Sequence, residues 1–355
     1  MFFKKKSLGL DISDYSIEIV SLEEPLYNPR LLAMGAALIE PGIFDNGKIV
    51  RSNALKKILK NLLKKPKFGR IKTNKVVFSI PESESFILSQ NLKEEVREKD
   101  VEEYAQSQIK RNFPYPPEEL DFDYWFSEQE IFIAAAPKEI VKSYLEVIRG
   151  VGLKPLAVEI ESISLGRAII KEKKPTLIAD IGAQFSNFSV FDGGKLKLSF
   201  SLPIAGKNFT AALAQKLDIS EEKAQILKRK VGLDPQPEKG RVFLILQKEM
   251  NEIVAEIKKI DEYFLEKTGK RIEKIILAGG SSSLPRILEY FQENLEKTVE
   301  IGDPWDKIDI DLLNQKEYLR DAHKVNPVIY ATTIGLALRG LAKNPARSEI
   351  NLLKF

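Results

Sequence analysis

Two aspartates, Asp11 and Asp180, each close an apolar run and each precede a turn and a second, alternating strand. The segments are LGLDISDYSIEIVSL at residues 8–22 and TLIADIGAQFSNFSVF at 176–191. A carboxylate at such a bend can hold Mg2+, directly or through its water shell. A glycine at the bend lets backbone N–H groups come close to an anion. The chemistry implied is phosphate binding. A third segment, KIILAGGSSSLPRILEYF at 274–291, runs from an apolar strand into Gly279, Gly280 and three serines. Leu284, Ile287, Leu288 and Phe291 then fall on one helical face. A glycine turn entering a helix N-terminus offers an anion or nucleotide site. Each pattern alone also suits an ordinary hairpin or a packing turn. The repetition of the first in both halves predicts an internal duplication whose two turns form the lips of one cleft.

Composition narrows the chemistry. The chain has 355 residues, 43% hydrophobic and 30% charged, enough for two globular domains and not the signature of disorder. A net charge of +4 gives no argument for nucleic acid. No cysteine is present, which removes disulfides and thiolate metal sites and suits a reducing cytosol. The single histidine, His323, removes histidine triads and His-rich metal sites and reads as a surface residue. Met1-Phe2-Phe3-Lys4-Lys5-Lys6 lacks the apolar stretch of a signal peptide and reads as a solvated start. No run approaches the roughly 20 apolar residues of a membrane-spanning helix.

The elements that must position these turns follow from period and breakers. Strands are expected at 31–39, 76–80, 86–88, 122–126 and 131–135, and a helix at 55–62. Residues 64–75 are basic and read as a linker. Asp100, with Glu103 three residues on, reads as a capping box for a helix stopped by Phe113-Pro114-Tyr115-Pro116-Pro117. Helices are expected at 141–148, 162–170, 209–217 and 221–231, the last capped by Ser220. The apolar positions from Val242 to Phe264 keep helical spacing and predict one long helix packed on its own domain. A final helix is expected over 326–341.

These motifs, in this order, resemble the phosphate-1, phosphate-2 and adenosine motifs of the actin/Hsp70/hexokinase superfamily. Within it the chain resembles the PilM family of type IV pilus assembly proteins, and more distantly the division protein FtsA. Further matching segments are VVFSIPESESFIL, SLPIAGKNFTAAL, KAQILKRKVGL and IGLALRGL. The resemblance implies an α/β fold, the actin-like bilobal ATPase architecture of two ribonuclease H-like lobes with an inserted α+β SHS2-type 1C subdomain. It divides the chain into lobe I (1–75), the 1C insertion (76–155), a return to lobe I (156–174), lobe II with the phosphate-2 motif (175–205), subdomain 2B (206–270), the adenosine motif and closing helix (271–343) and a tail (344–355). The 1C insertion speaks against Hsp70 and sugar kinases.

The same resemblance implies ATP with Mg2+ as cofactors. Asp180 would be the magnesium-side or water-orienting acid, and Asp11 the second metal-side carboxylate. Ser13, Asp14, Tyr15 and Ser16 form the phosphate-1 turn, while Gly182 and Ala183 offer backbone N–H groups to phosphate. Gly206 joins the nucleotide-binding set; Gln225 and Lys228 would lie near ribose or adenine, and Gly279, Gly280 and Ser281 would border the adenosine. Two positions depart from the pattern. Ser13 and Asp14 stand where Gly and then Ser or Thr are usual, and a carboxylate there repels a triphosphate unless Mg2+ intervenes; Asp14 is expected as a left-handed turn residue pointing away. Gln225 replaces the usual Glu. ATP binding with weak or absent hydrolysis is the expectation.

The implied role is a cytoplasmic scaffold at the inner face of the membrane, docked on a short Asn-Leu-Leu-Pro-type segment of the membrane protein PilN. The chain carries Ile350-Asn351-Leu352-Leu353 itself, with Lys354 in the proline position. Two readings stand: the segment occupies the same groove, in its own molecule or a neighbour's, and competes with the membrane partner, or it is a hydrophobic tail docked on the last helix whose similarity is by chance. The alternatives are an FtsA-like division protein, a nucleotide-free actin-fold adaptor and a kinase of the same superfamily. An FtsA-like membrane helix is not evident in residues 339–355.

Overall fold

Strands buried on both faces lose the polar half of their alternation and read as near-continuous apolar runs. The opening segment is of this kind. The computed structural model describes residues 4–24, 28–45, 47–92, 96–127, 130–322 and 324–353; the readings made above for Met1–Phe3, His323 and Lys354 fall outside them. The chain forms two units, residues 1–169 with 303–355, and residues 170–302.

In the first unit, β1 (Lys6–Ile12), β2 (Ser16–Glu23) and β3 (Arg30–Leu38) form an antiparallel meander. A two-residue hairpin, β4 (Phe44–Asp45) and β5 (Lys48–Ile49), leads to α1 (Ser52–Lys64). The expected linker then carries β6 (Phe68–Gly69), which pairs with β3 and buries Phe68 completely. One aromatic anchor outweighs the surrounding lysines, so this stretch is part of the sheet. β7 (Lys75–Ile80) lies parallel to β1.

The chain next builds a separate three-stranded sheet in the order β8 (Phe86–Asn91), β10 (Glu130–Pro137), β9 (Leu120–Phe126). Across it lies α2 (Val101–Asn112), whose Val101, Ala105 and Ile109 pack with Leu120, Phe122, Ile131, Ile133 and Ala135. Asp100 precedes α2 without capping it; its carboxylate accepts from Arg97 Nε at 2.6 Å instead. After α3 (Lys138–Gly150), β11 (Lys154–Ile160) returns to the main sheet, parallel to β7 and at its edge, and α4 (Glu161–Ile169) follows.

The second unit contains β12 (Thr176–Ile181), β13 (Ser186–Asp192), β14 (Lys195–Leu202), α5 (Gly206–Leu217), α6 (Glu221–Val231), α7 (Arg241–Thr268), β15 (Lys274–Ala278), α8 (Ile287–Asn294) and β16 (Thr298–Ile301). The long helix α7 buries Val242, Leu246, Met250, Ile253, Ile257 and Phe264 in the core of its own unit. Ser220 caps α6 by accepting from Lys223 N, as its position suggests. α8 does not start at the glycines. A 3-10 turn at Gly280–Ser283 intervenes, and Pro285 and the left-handed Arg286 delay the helix to Ile287.

The sheets share one topology. The first runs β11-β7-β1-β2-β3-β6 and the second β14-β13-β12-β15-β16. Reading outward from β1 and from β12, each has an antiparallel hairpin partner and a third antiparallel strand on one side. On the other side, each has two parallel strands. The first unit closes with the short α9 (Leu319–Ala322) and with α10 (Ala331–Leu341), which lies on β1 and against α4.

Candidate functional site

In the second unit, β12 carries Asp180 to the end of the sheet, opposite Asn187 of β13 and beside Ala278 of β15. The parallel pairing of β15 brings Gly279 directly against it. A Cβ at Gly279 would stand 2.3 Å from Asp180 Oδ1 and 2.6 Å from the Ile181 carbonyl, and its φ is +77°. Only glycine fits there. Gly182 closes its turn by donating to the Phe185 carbonyl at 3.1 Å.

Three segments meet at the Gly182 carbonyl. Gly206 N–H, at the start of α5, donates to it at 3.1 Å, and Ser281 Oγ donates to it at 3.3 Å. Lys207 N–H donates to the Ala183 carbonyl at 2.8 Å, tying the first turn of α5 to the same loop. Behind Gly206, Lys228 of α6 donates from Nζ to the Gly206 carbonyl at 2.6 Å and to Thr210 Oγ1 at 2.8 Å; Thr210 Oγ1 donates to Gln225 Oε1 at 2.7 Å. Burial, then the nearby Arg229 charge, pulls the Lys228 ammonium down to about 8. Asp180, Gly182, Ala183, Gly206, Gln225, Lys228, Gly279 and Ser281 thus form one connected cluster. Gly280 is exposed, with open space where a Cβ would stand.

In the first unit, the turn between β1 and β2 is closed by a side chain. Ser13 Oγ accepts from Tyr15 N at 3.2 Å and Ser16 N at 3.0 Å, and Ser13 N donates to the Ser16 carbonyl at 3.0 Å. This serine turn does the work expected of a left-handed residue. Asp14 does not adopt a positive φ, contrary to the expectation above. Asp11 accepts from Ser79 Oγ of β7 at 2.7 Å and faces Glu18 across the β1–β2 ladder. Burial raises the Asp11 carboxyl to about 6, against the opposing hydrogen bond from Ser79. Burial, then the Asp11 charge, raises Glu18 to about 8.

Glu18, Ser79 and Thr210 are members of these clusters that motif reading does not single out. Glu18 had a signal, being the acid inside the otherwise apolar stretch Ile17–Val20 of β2. Ser79 and Thr210 had none, because their roles depend on strand order and helix packing. Among the described residues, no group of three or more Asp, Glu or His side chains gathers as a ready metal-ligand set. Asp180 brings one carboxylate to the second unit's cluster, and one carboxylate completed by water and phosphate oxygens is a donor set that Mg2+ would accept.

The family model of the type IV pilus assembly protein PilM matches residues 9–341. The chain belongs to the PilM family. Among solved structures, this PilM-family chain is similar to the PilM-PilN type IV pilus biogenesis complex, with a TM-score of 0.79 and 23% identity over 95% of this chain and 98% of that one. It is also similar to MreB5 of Spiroplasma citri bound to ADP, with a TM-score of 0.53 and 14% identity over 93% of this chain and 94% of that one. At these identities the likeness is one of fold, the mixed α/β actin-like fold expected from the sequence. The division protein FtsA of Bacillus subtilis (strain 168) is 22% identical over 199 residues, 50% of this chain and 45% of FtsA, so the match spans less than half of that relative's length.

Proposed function

We propose that this PilM-family chain is an adenine-nucleotide-binding scaffold of type IV pilus assembly. It works at the inner face of the cytoplasmic membrane, docked on a short Asn-Leu-Leu-type segment of a PilN-like membrane protein. The observation that carries the nucleotide half is the convergence of Gly206 N–H and Ser281 Oγ on the Gly182 carbonyl beside Asp180. Gly182, Gly206, Gly279 and Gly280 bring no side chains of their own to this turn cluster, which suits close approach of phosphate. Gln225 and Lys228, linked through Thr210, would fix the ribose side, and Gly280 leaves room beside Ser281. Asp180, beside this cluster, is the candidate carboxylate for Mg2+, which when bound would neutralise phosphate charge. The ADP in the MreB5 structure supports an adenine nucleotide as the ligand of this fold. The PilM-PilN complex among similar structures supports the membrane partner.

A second reading, a nucleotide-free adaptor, has its own observation. The Tyr15 and Ser16 N–H groups are already used by Ser13 Oγ within their own turn, and Lys228 is used by Gly206 and Thr210. Titration calorimetry with MgATP on the wild type and Asp180→Ala separates the two. Micromolar binding lost in the variant is the expected result. No heat in folded, nucleotide-free wild type would leave the adaptor.

A further inference from the structure

Residues 350–353 are held as firmly as core. Ile350 is 5% exposed, Asn351 8%, Leu352 0% and Leu353 6%. They lie along β11, the edge strand of the first unit's main sheet. Leu352 N donates to the Val158 carbonyl at 2.9 Å, and Val158 N donates to Asn351 Oδ1 at 2.9 Å. The segment therefore pairs with the edge as an added strand would, with the asparagine side chain replacing one backbone acceptor. Asn351 does more. Its Oδ1 also accepts from Leu353 N at 3.1 Å, its Nδ2 donates to the Ala346 carbonyl at 3.1 Å, and its own N–H donates to Asp123 Oδ2 of β9 at 2.8 Å. One short segment thus bridges the main sheet and the inserted one.

The seat is charged beneath its apolar surface. Arg339 of α10, fully buried, donates from Nε to the Pro345 carbonyl at 3.0 Å, from Nη2 to the Glu349 carbonyl at 3.1 Å and from Nη1 to the Ile350 carbonyl. Its charge is met by Glu159 of β11 at 2.6 Å. Arg167 joins Glu159 to Glu349. The two arginines hold the Glu159 carboxyl below its usual range despite burial. A guanidinium that gathers the carbonyls of residues 345, 349 and 350 is a built clamp for a peptide backbone.

We propose that the β11 edge, Asp123 and Arg339 form a peptide seat selective for Ile-Asn-Leu-Leu, that residues 350–353 are its occupant in cis, and that this occupant must leave before the same segment of another chain can enter. The proposal rests on the docking half of the function above only in naming the entering chain as a partner's. A tethered competitor acts at an effective concentration in the millimolar range for a short flexible connection. The apparent affinity for an added segment falls by the fraction of seats left open.

The test uses the full chain and a fluorophore-labelled peptide, Ser-Glu-Ile-Asn-Leu-Leu, read by anisotropy. The wild type should bind it at least about tenfold more weakly than Asn351→Ala/Leu352→Ala. Adding Asp123→Ala to that variant should remove most of the gain. Equal affinity in wild type and double variant overturns competition in cis, while a loss on Asp123→Ala would still locate docking at this seat. Absence of binding in every folded variant overturns the seat as a docking site. Hydrogen exchange on the wild type needs no variant. Excess peptide should raise exchange across residues 345–353, and unchanged exchange with bound peptide overturns the displacement.

Discussion

Glu18 and Asp11 are two carboxyls opposite each other on the β1–β2 ladder, and burial together with the Asp11 charge makes Glu18 harder to ionise. The unfolded glutamate titrates near 4.5, whereas the folded one is raised to about 8. Below about pH 4.5 both states hold the proton, and the pair adds no penalty. Between about 4.5 and 8 the unfolded chain ionises first and is favoured, so stability falls across that window. Asp11 acts with the same sign between 3.8 and about 6. Glu18→Gln removes the larger part of this slope. Urea unfolding should find the variant gaining on wild type as pH rises from 5 to 8, reaching about 2–4 kcal/mol. A difference that does not change with pH would remove Glu18 as the cause. At this scale the aspartates were legible because each ends an apolar run before a turn. Their partners were not, since Ser79 and Glu18 meet Asp11 only through strand register.

The elements make their demands through small residues. α10 sits so close to its neighbours that side chains have no room at the contacts. A Cβ on Gly335 would stand 1.8 Å from the Ser164 carbonyl of α4, and one on Gly9 of β1 would stand 2.0 Å from the Thr333 carbonyl. These are backbone atoms, which cannot swing aside. Gly335→Ala therefore has to push α10 from α4, and overpacking of this kind costs typically 1–3 kcal/mol. The midpoint of chemical denaturation should fall accordingly, although alanine has the better helix propensity. An unchanged or raised midpoint would mean that the crossing is looser than described. Gly335 and Gly340, five residues apart in this apolar helix, are the sequence's mark of that close packing. Its one charge, Arg339, was equally visible as the exception in an apolar run, yet nothing local named Glu159 or the carbonyls of 345, 349 and 350 as its partners. Asp100 failed as a cap for a related reason. A neighbouring arginine competed for its carboxylate, and spacing alone cannot rank the two.

For the whole molecule, period and order of motifs made the fold legible, because the same strand–acid–turn–strand unit opens two sheets of one topology. The docking motif at residues 350–353 was visible, but its seat on β11 was not, because that contact is long-range. Contacts of the same kind engage part of the basic start of the chain. Three lysines near an anionic surface contribute about 1 kcal/mol each at most, and two of the three at the start of this chain are engaged elsewhere. Lys5 donates to the Ala342 carbonyl and Lys6 pairs with Glu23 at 3.6 Å. Among the described residues no helix is long and apolar enough to cross a membrane. Under the proposed function, attachment comes through a partner's segment. In flotation with phosphatidylcholine–phosphatidylglycerol vesicles, the chain should stay in the dense fraction. It should float when the vesicles carry lipid-coupled Ser-Glu-Ile-Asn-Leu-Leu, and Asn351→Ala/Leu352→Ala should do so at lower peptide density than wild type. Flotation on bare vesicles would instead assign membrane contact to the chain's own surface, and the peptide seat would lose its part in bringing the protein there.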